Sequence, residues 1–78
     1  MENKFETQDF CLASYLLAKK IYLHGIKRKD TSAKRVTFIF SNTKDCQELV
    51  EEFSQMKGSI EPLSFVSAQK QLKHLIYL

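Results

Sequence analysis

The chain has 78 residues, a net charge of +3, two cysteines and nine aromatic rings, three Tyr and six Phe. So short a chain is expected to form one domain spanning residues 1–78, burying only roughly 60–65% of its unfolded surface. Two cysteines are too few for a disulfide framework. The apolar stretch CLASYLLA falls far short of the roughly 20 residues a membrane span needs, and MENKFETQDF lacks a basic-then-apolar signal pattern.

These features point to a cytoplasmic protein without a membrane role. The charge is unevenly placed: seven of twelve Lys and Arg lie between Lys19 and Arg35, and four of nine acids lie between Asp45 and Glu52. An electrically lopsided molecule is expected, basic in its first half and acidic on one later helix.

In chain order, Thr7 is the expected N-cap of a first helix running to about Lys20, with Gln8 and Asp9 in its first turn. From Phe10 to Ala18 every residue but Ser14 is apolar. A helix apolar nearly all round is buried on several sides, and a second copy is one source of that burial. Cys11 and Cys46 both fall among apolar residues in expected helices, where a free thiol packs as a small hydrophobe.

Residues 21–29 read as a strand and 34–40 as its antiparallel partner, joined by the four-residue loop DTSA. Val36, Phe38 and Phe40 alternate with Arg35, Thr37 and Ile39, so the first set faces the core. Ile21 and Leu23 share one parity and Ile26 has the other. A bulge at Gly25 would turn all three inward, on the residue that tolerates the required backbone.

Asn42 with Asp45 resembles a capping box opening a second helix. Its apolar stripe is Cys46, Leu49, Val50, Phe53 and Met56, with Gly58 as the C-terminal stop and Asp45, Glu48, Glu51 and Glu52 toward solvent. The SIEP segment is extended before its proline and is a candidate short edge strand. A third helix begins near Leu63 and runs to Tyr77, burying Phe65, Ala68, Leu72, Leu75 and Ile76. The expected fold is α+β, in the order α-β-β-α-α, with the hairpin packed against three helices.

Several stretches together carry a resemblance. They are F-x-T-x-D at Phe5 to Asp9, LASYLLA at 12–18, the GI at Gly25, RVTFIF at 35–40 with the capped acidic helix after it, and EPLSFV at 61–66. The chain resembles a family of small bacterial and phage proteins classified as a domain of unknown function. The likeness covers nearly the whole length, and its motifs are structural: a cap, a core strand and a helix entry. It implies an intact natural domain in a mobile-element setting and brings no site residues with it.

With a bulge at Gly25, the outer hairpin face would carry Tyr22, His24, Lys27 and Lys29 beside Arg35, Thr37 and Ile39, with Arg28 and Lys34 at its edges near the loop. Cations that neutralise phosphate beside a ring that stacks on an unpaired base suit nucleic acid. On that reading Lys27, Lys29 and Arg35 contact phosphate, assisted by Arg28 and Lys34, and Tyr22 stacks. The competing explanation is that hairpins carry Lys and Arg to stay soluble and to block edge pairing.

The alternative function is a protein-interaction module, most simply a homodimer through helix one or the C-terminal helix. The acidic helix could also meet the basic hairpin of a neighbour. A stripe of Val66, Lys70, Lys73 and Tyr77, with His74 adjacent, is explained by late cations suiting a helix C-terminus. No enzyme is expected: His24 and His74 lack a local nucleophile, the cysteines look buried, and the acids of helix two lie on a convex surface. No cofactor or metal is expected either. No Cys or His pair has the short spacing of structural zinc, and two glycines make no phosphate loop.

Overall fold

The computed structural model describes residues 4–28, 36–56 and 58–77. Its elements are β1 (Lys4–Thr7), α1 (Phe10–Ala18), β2 (Leu23–Arg28), β3 (Val36–Ser41), α2 (Lys44–Ser54) and α3 (Pro62–Ile76). The class is α+β, as expected, but the sheet has three antiparallel strands in the order β1-β3-β2. The third strand is not SIEP, which forms no strand; it is the N-terminal segment KFET. The element order is therefore β-α-β-β-α-α. Both β1 and β2 run antiparallel to β3, so they are parallel to each other, with β3 inserted between them and α1 as the crossover.

The alternation in β3 sets the two faces. Val36, Phe38 and Phe40 are buried, while Thr37, Ile39 and Ser41 are half-exposed on the opposite side. Phe5 lies opposite Phe40 in β1, and Leu23 and Ile26 lie opposite Phe40 and Phe38 in β2. These inward residues meet Leu12, Ala13 and Leu16 of α1, Cys46 of α2 and Leu72 of α3 in one apolar cluster. The described residues span 35 × 34 × 19 Å, the thickness of a sheet with one helical layer on it.

α1 is the middle of that layer, in contact with β1, α2 and α3. Its apolar girth is thus buried within the same chain, with Leu12, Ala13, Tyr15 and Leu16 all inside. The one buried polar side chain of the helix, Ser14, donates its hydroxyl to the Phe10 carbonyl at 2.8 Å. Cys11 differs from expectation. It points out to solvent, and of the two thiols only Cys46 is buried.

The helix ends follow local chemistry one or two residues from the expected positions. Asp9, not Thr7, caps α1: its Oδ1 accepts from the Cys11 and Leu12 N–H groups at 2.9 and 3.1 Å. Thr7 ends β1 and accepts from the Asp9 N–H. Thr43, not Asn42, caps α2 by accepting from the Cys46 N–H at 3.1 Å. α1 stops at Ala18 in a Schellman motif. Ile21 N–H donates to Leu16 O and Lys20 N–H to Leu17 O, with Lys20 at φ 70° where glycine is usual. Ile21 is therefore the apolar residue that closes α1 onto the core rather than the start of a strand.

α2 ends in a similar way, at Met56 (φ 59°), whose N–H donates to Phe53 O. Met56 was expected in the core, yet it is 94% exposed. Gly58 was the expected stop; it lies further on, packed against the Tyr15 ring, where an added Cβ would come within 2.5 Å of the hydroxyl oxygen. α3 buries Ala68 and Leu72 and half-buries Phe65, Leu75 and Ile76, with Glu61 as its N-cap and Pro62 in its first turn.

Candidate nucleic-acid interface

All three helices pack on the side of Val36, Phe38 and Phe40, which leaves the other face of the sheet uncovered among the described residues. What occupies that face depends on the irregularity in β2. Leu23 pairs with Phe40 and Gly25 with Ile39, so His24 is the extra residue at a bulge. Gly25 has φ +157°, a value that L side chains rarely adopt. Beyond the bulge the parity is reversed: Ile26 faces the helices and Lys27 faces out, opposite Thr37. The expected bulge is present, and it puts Lys27 on the open face.

Tyr22 is 66% exposed and meets the His24 ring edge-on, with centroids 4.9 Å apart and planes at 88°. The Nε2 of His24 lies 3.0 Å from the Ser41 hydroxyl. Ser41 is not local to His24 in the sequence. The partner comes across the sheet, where Ser41 N–H also donates to the Tyr22 carbonyl at 3.0 Å. The Ser41 contact and the Tyr22 edge hold the imidazole from two sides.

Lys27 lies 3.5 Å from Glu6, with 57% and 47% of the two side chains exposed. Glu6 reaches it from β1 across β3, because Glu6 pairs with Ile39. Lys4, opposite Ser41, is the other β1 residue on this face. Sequence reading missed Lys4, Glu6 and Ser41 together, since placing them needs β1 to be a strand. In the middle, Gly25 sits beside half-exposed Ile39, and nothing lies within 4 Å of where a Cβ would be. The result is a shallow saddle between the Tyr22–His24 pair and Lys27.

Arg28 is not part of this face. It pairs with Val36, on the helical side, and its guanidinium donates to the Ile76 carbonyl at the end of α3. The last carbonyls of a helix lack intrahelical donors, so a cation there satisfies one and suits the dipole. Its role in the described structure is to tie β2 to α3. Lys29, Lys34 and Arg35 lie outside the described residues, as does the DTSA loop.

The charge separation is also smaller than composition suggests. Lys19 and Lys20, just past α1, share a shallow basin with Asp45, Glu48 and Glu52 of α2. Nearby, the Tyr15 hydroxyl donates to Glu52 at 3.4 Å, and its pKa is raised by burial first and by the Glu52 carboxylate second. No cluster of three or more His, Cys, Asp or Glu able to hold a metal occurs among the described residues. No helix is long and apolar enough to cross a membrane among them. Leu63 of α3 and Tyr77, its C-cap, are 76% and 83% exposed.

This is a two-layer α+β arrangement with a three-stranded antiparallel sheet, helices on one face and a second face left open among the described residues. The chain belongs to the family described as Domain of unknown function (DUF5659), whose family model matches residues 2–78. No curated protein and no solved structure matches it.

Proposed function

We propose that the protein binds single-stranded nucleic acid, without chemistry of its own, on the open face of the sheet. The observation that carries this reading is the exposed Tyr22 ring, braced by His24 and bordered by Lys27 on a face that none of the described helices covers. A base stacks on Tyr22, the saddle at Gly25 admits its neighbour to Ile39, and Lys27 and Lys4 neutralise phosphates. In the sequence, Lys29, Lys34 and Arg35 add three more cations between Arg28 and Val36, outside the described residues. Glu6 opposes the ligand, since a phosphate reaching Lys27 must displace it. Two free thiols, one of them exposed, suit a reducing cytoplasm.

The test is a salt titration of binding to single-stranded and duplex oligonucleotides. Affinity for the single strand falls linearly in the log–log plot, and Lys27→Glu reduces the slope by about one. Tyr22→Ala weakens binding by roughly 5- to 150-fold, the range of about 1–3 kcal/mol measured for base–aromatic stacking. Glu6→Gln strengthens it, because Lys27 is released and a like charge is removed from the phosphate path. Absence of binding at low salt, or equal affinity of wild type and Tyr22→Ala, refutes the reading.

A further inference from the structure

Among the described residues, the sheet has two free edges, β1 and β2. β2 is poorly suited to accept another strand, because it is broken by the bulge at Gly25 and carries Lys27 and Arg28 in succession. β1 has neither defence. Its pairing with β3 is regular from Lys4 to Thr7, and its outer-face charges are of opposite sign, Lys4 and Glu6, with Phe5 turned to the helical side between them.

We propose that β1 pairs antiparallel with the β1 strand of a second copy, Phe5 against the partner's Phe5. Lys4 then lies opposite the partner's Glu6, and Glu6 opposite the partner's Lys4. Side-chain parity selects this register. Sliding the pair by one residue puts Phe5 opposite a charged residue of the other face, which a continuous pleat forbids. Sliding by two restores the faces but sets Lys4 against the partner's Lys4, or Glu6 against the partner's Glu6, and like charges directly opposite are destabilising. Centred on Phe5, residues Lys4, Phe5 and Glu6 of the two chains give two opposite-charge pairs and one aromatic pair.

The pairing is isologous, so a two-fold axis perpendicular to the sheet relates the copies. The two three-stranded sheets become one of six strands, with all helices on one side and both open faces on the other. Each Glu6 then bridges Lys27 of its own chain and the partner's Lys4. The seam is only three residue pairs long, so association depends on concentration. This inference is independent of nucleic-acid binding, and its test contains no oligonucleotide.

Sedimentation of the wild-type chain over a wide concentration range should show the mass rising from one chain to two. Lys4→Glu alone and Glu6→Lys alone each place like charges across the seam and should stay monomeric. Mixed in equal amounts, those two variants are complementary at both positions and should form a heterodimer. Both side chains are exposed, so circular dichroism should match wild type. If either single variant loses its fold, the double swap Lys4→Glu/Glu6→Lys carries the test, because it recreates the pairs in reverse and should dimerise. A wild-type monomer at every concentration overturns the proposal. So do folded single variants that associate like wild type, a folded mixture that does not associate, or a monomeric double swap.

Discussion

Replacing Gly25 by alanine isolates what the bulge costs any other residue. No atom lies within 4 Å of the new methyl, so the substitution introduces no clash and removes no contact. What remains is the backbone at φ +157°, and holding a non-glycine residue in so sparsely populated a region costs about 1–3 kcal/mol. Alanine also stiffens the unfolded chain, which returns about 0.4–1 kcal/mol. The net destabilisation is about 1–2 kcal/mol, which for a domain of this size lowers Tm by roughly 4–16 °C. Thermal unfolding followed by circular dichroism measures it. An alanine variant as stable as wild type refutes the assignment of strain to Gly25.

Met56 holds a left-handed φ of 59° while 94% exposed, so Met56→Gly relieves strain without losing packing. It should raise stability by up to about 1 kcal/mol in denaturant titrations, given roughly 1–2 kcal/mol for the left-handed backbone less the entropy glycine adds to the unfolded chain; a lowered midpoint contradicts this. Thr43→Ala should cost about 1 kcal/mol by removal of the cap on Cys46 N–H, whereas Asn42→Ala should change stability little, and the reverse order would reinstate Asn42 as cap. With a thiol reagent at neutral pH, Cys11 should react at once, while Cys46, buried and with its thiol pKa pushed up by that burial, should react only as the chain opens; two fast thiols would contradict the packing of α2. The Glu61 carboxylate is held below its ordinary 4.5 by the Ser64 N–H first, then by the Ser64 hydroxyl and the Leu63 N–H. Its contribution is fully present above that value and is lost as pH falls through the lower folded pKa. The Tm difference between wild type and Glu61→Gln should accordingly hold steady above pH 4.5 and shrink below it, and a difference unchanged down to strong acid would deny the cap its charge.

Much of the inner architecture was legible because a few residues allow one reading only. The alternation of Val36, Phe38 and Phe40 puts one face of β3 inside, and the helical spacing of Cys46, Leu49, Val50 and Phe53 does the same for α2. The parity break between Leu23 and Ile26 required a bulge, and Gly25 was the residue able to supply it. Caps were less legible. Thr7 competes with Asp9, and Asn42 with Thr43, and short polar side chains two residues apart or adjacent have nearly equal capping propensity. Which one caps depends on where the preceding strand lets go of the sheet. The left-handed residues Lys20 and Met56 carry no sequence signal, because glycine is the residue expected at such positions.

The open face was half legible. Tyr22, His24 and Lys27 follow from the hairpin and its bulge, but Lys4, Glu6 and Ser41 do not. β1 offers one apolar residue in four, too little for a strand pattern, and its identity comes from the free edge of β3 that it covers. Arg28 shows the same limit from the other side. In sequence it is one cation in a run of three, and the end of α3 beside it makes it a tie between strand and helix.

By itself, then, the sequence determined which residues turn inward, since burial periodicity is a local property of the chain. Only the tertiary structure decided that α1 is buried by its own chain, that the third strand comes from the N-terminus, and which cations remain on the uncovered face. Those outcomes depend on which elements come to lie side by side, and pairing across the sheet is written in no local run of residues.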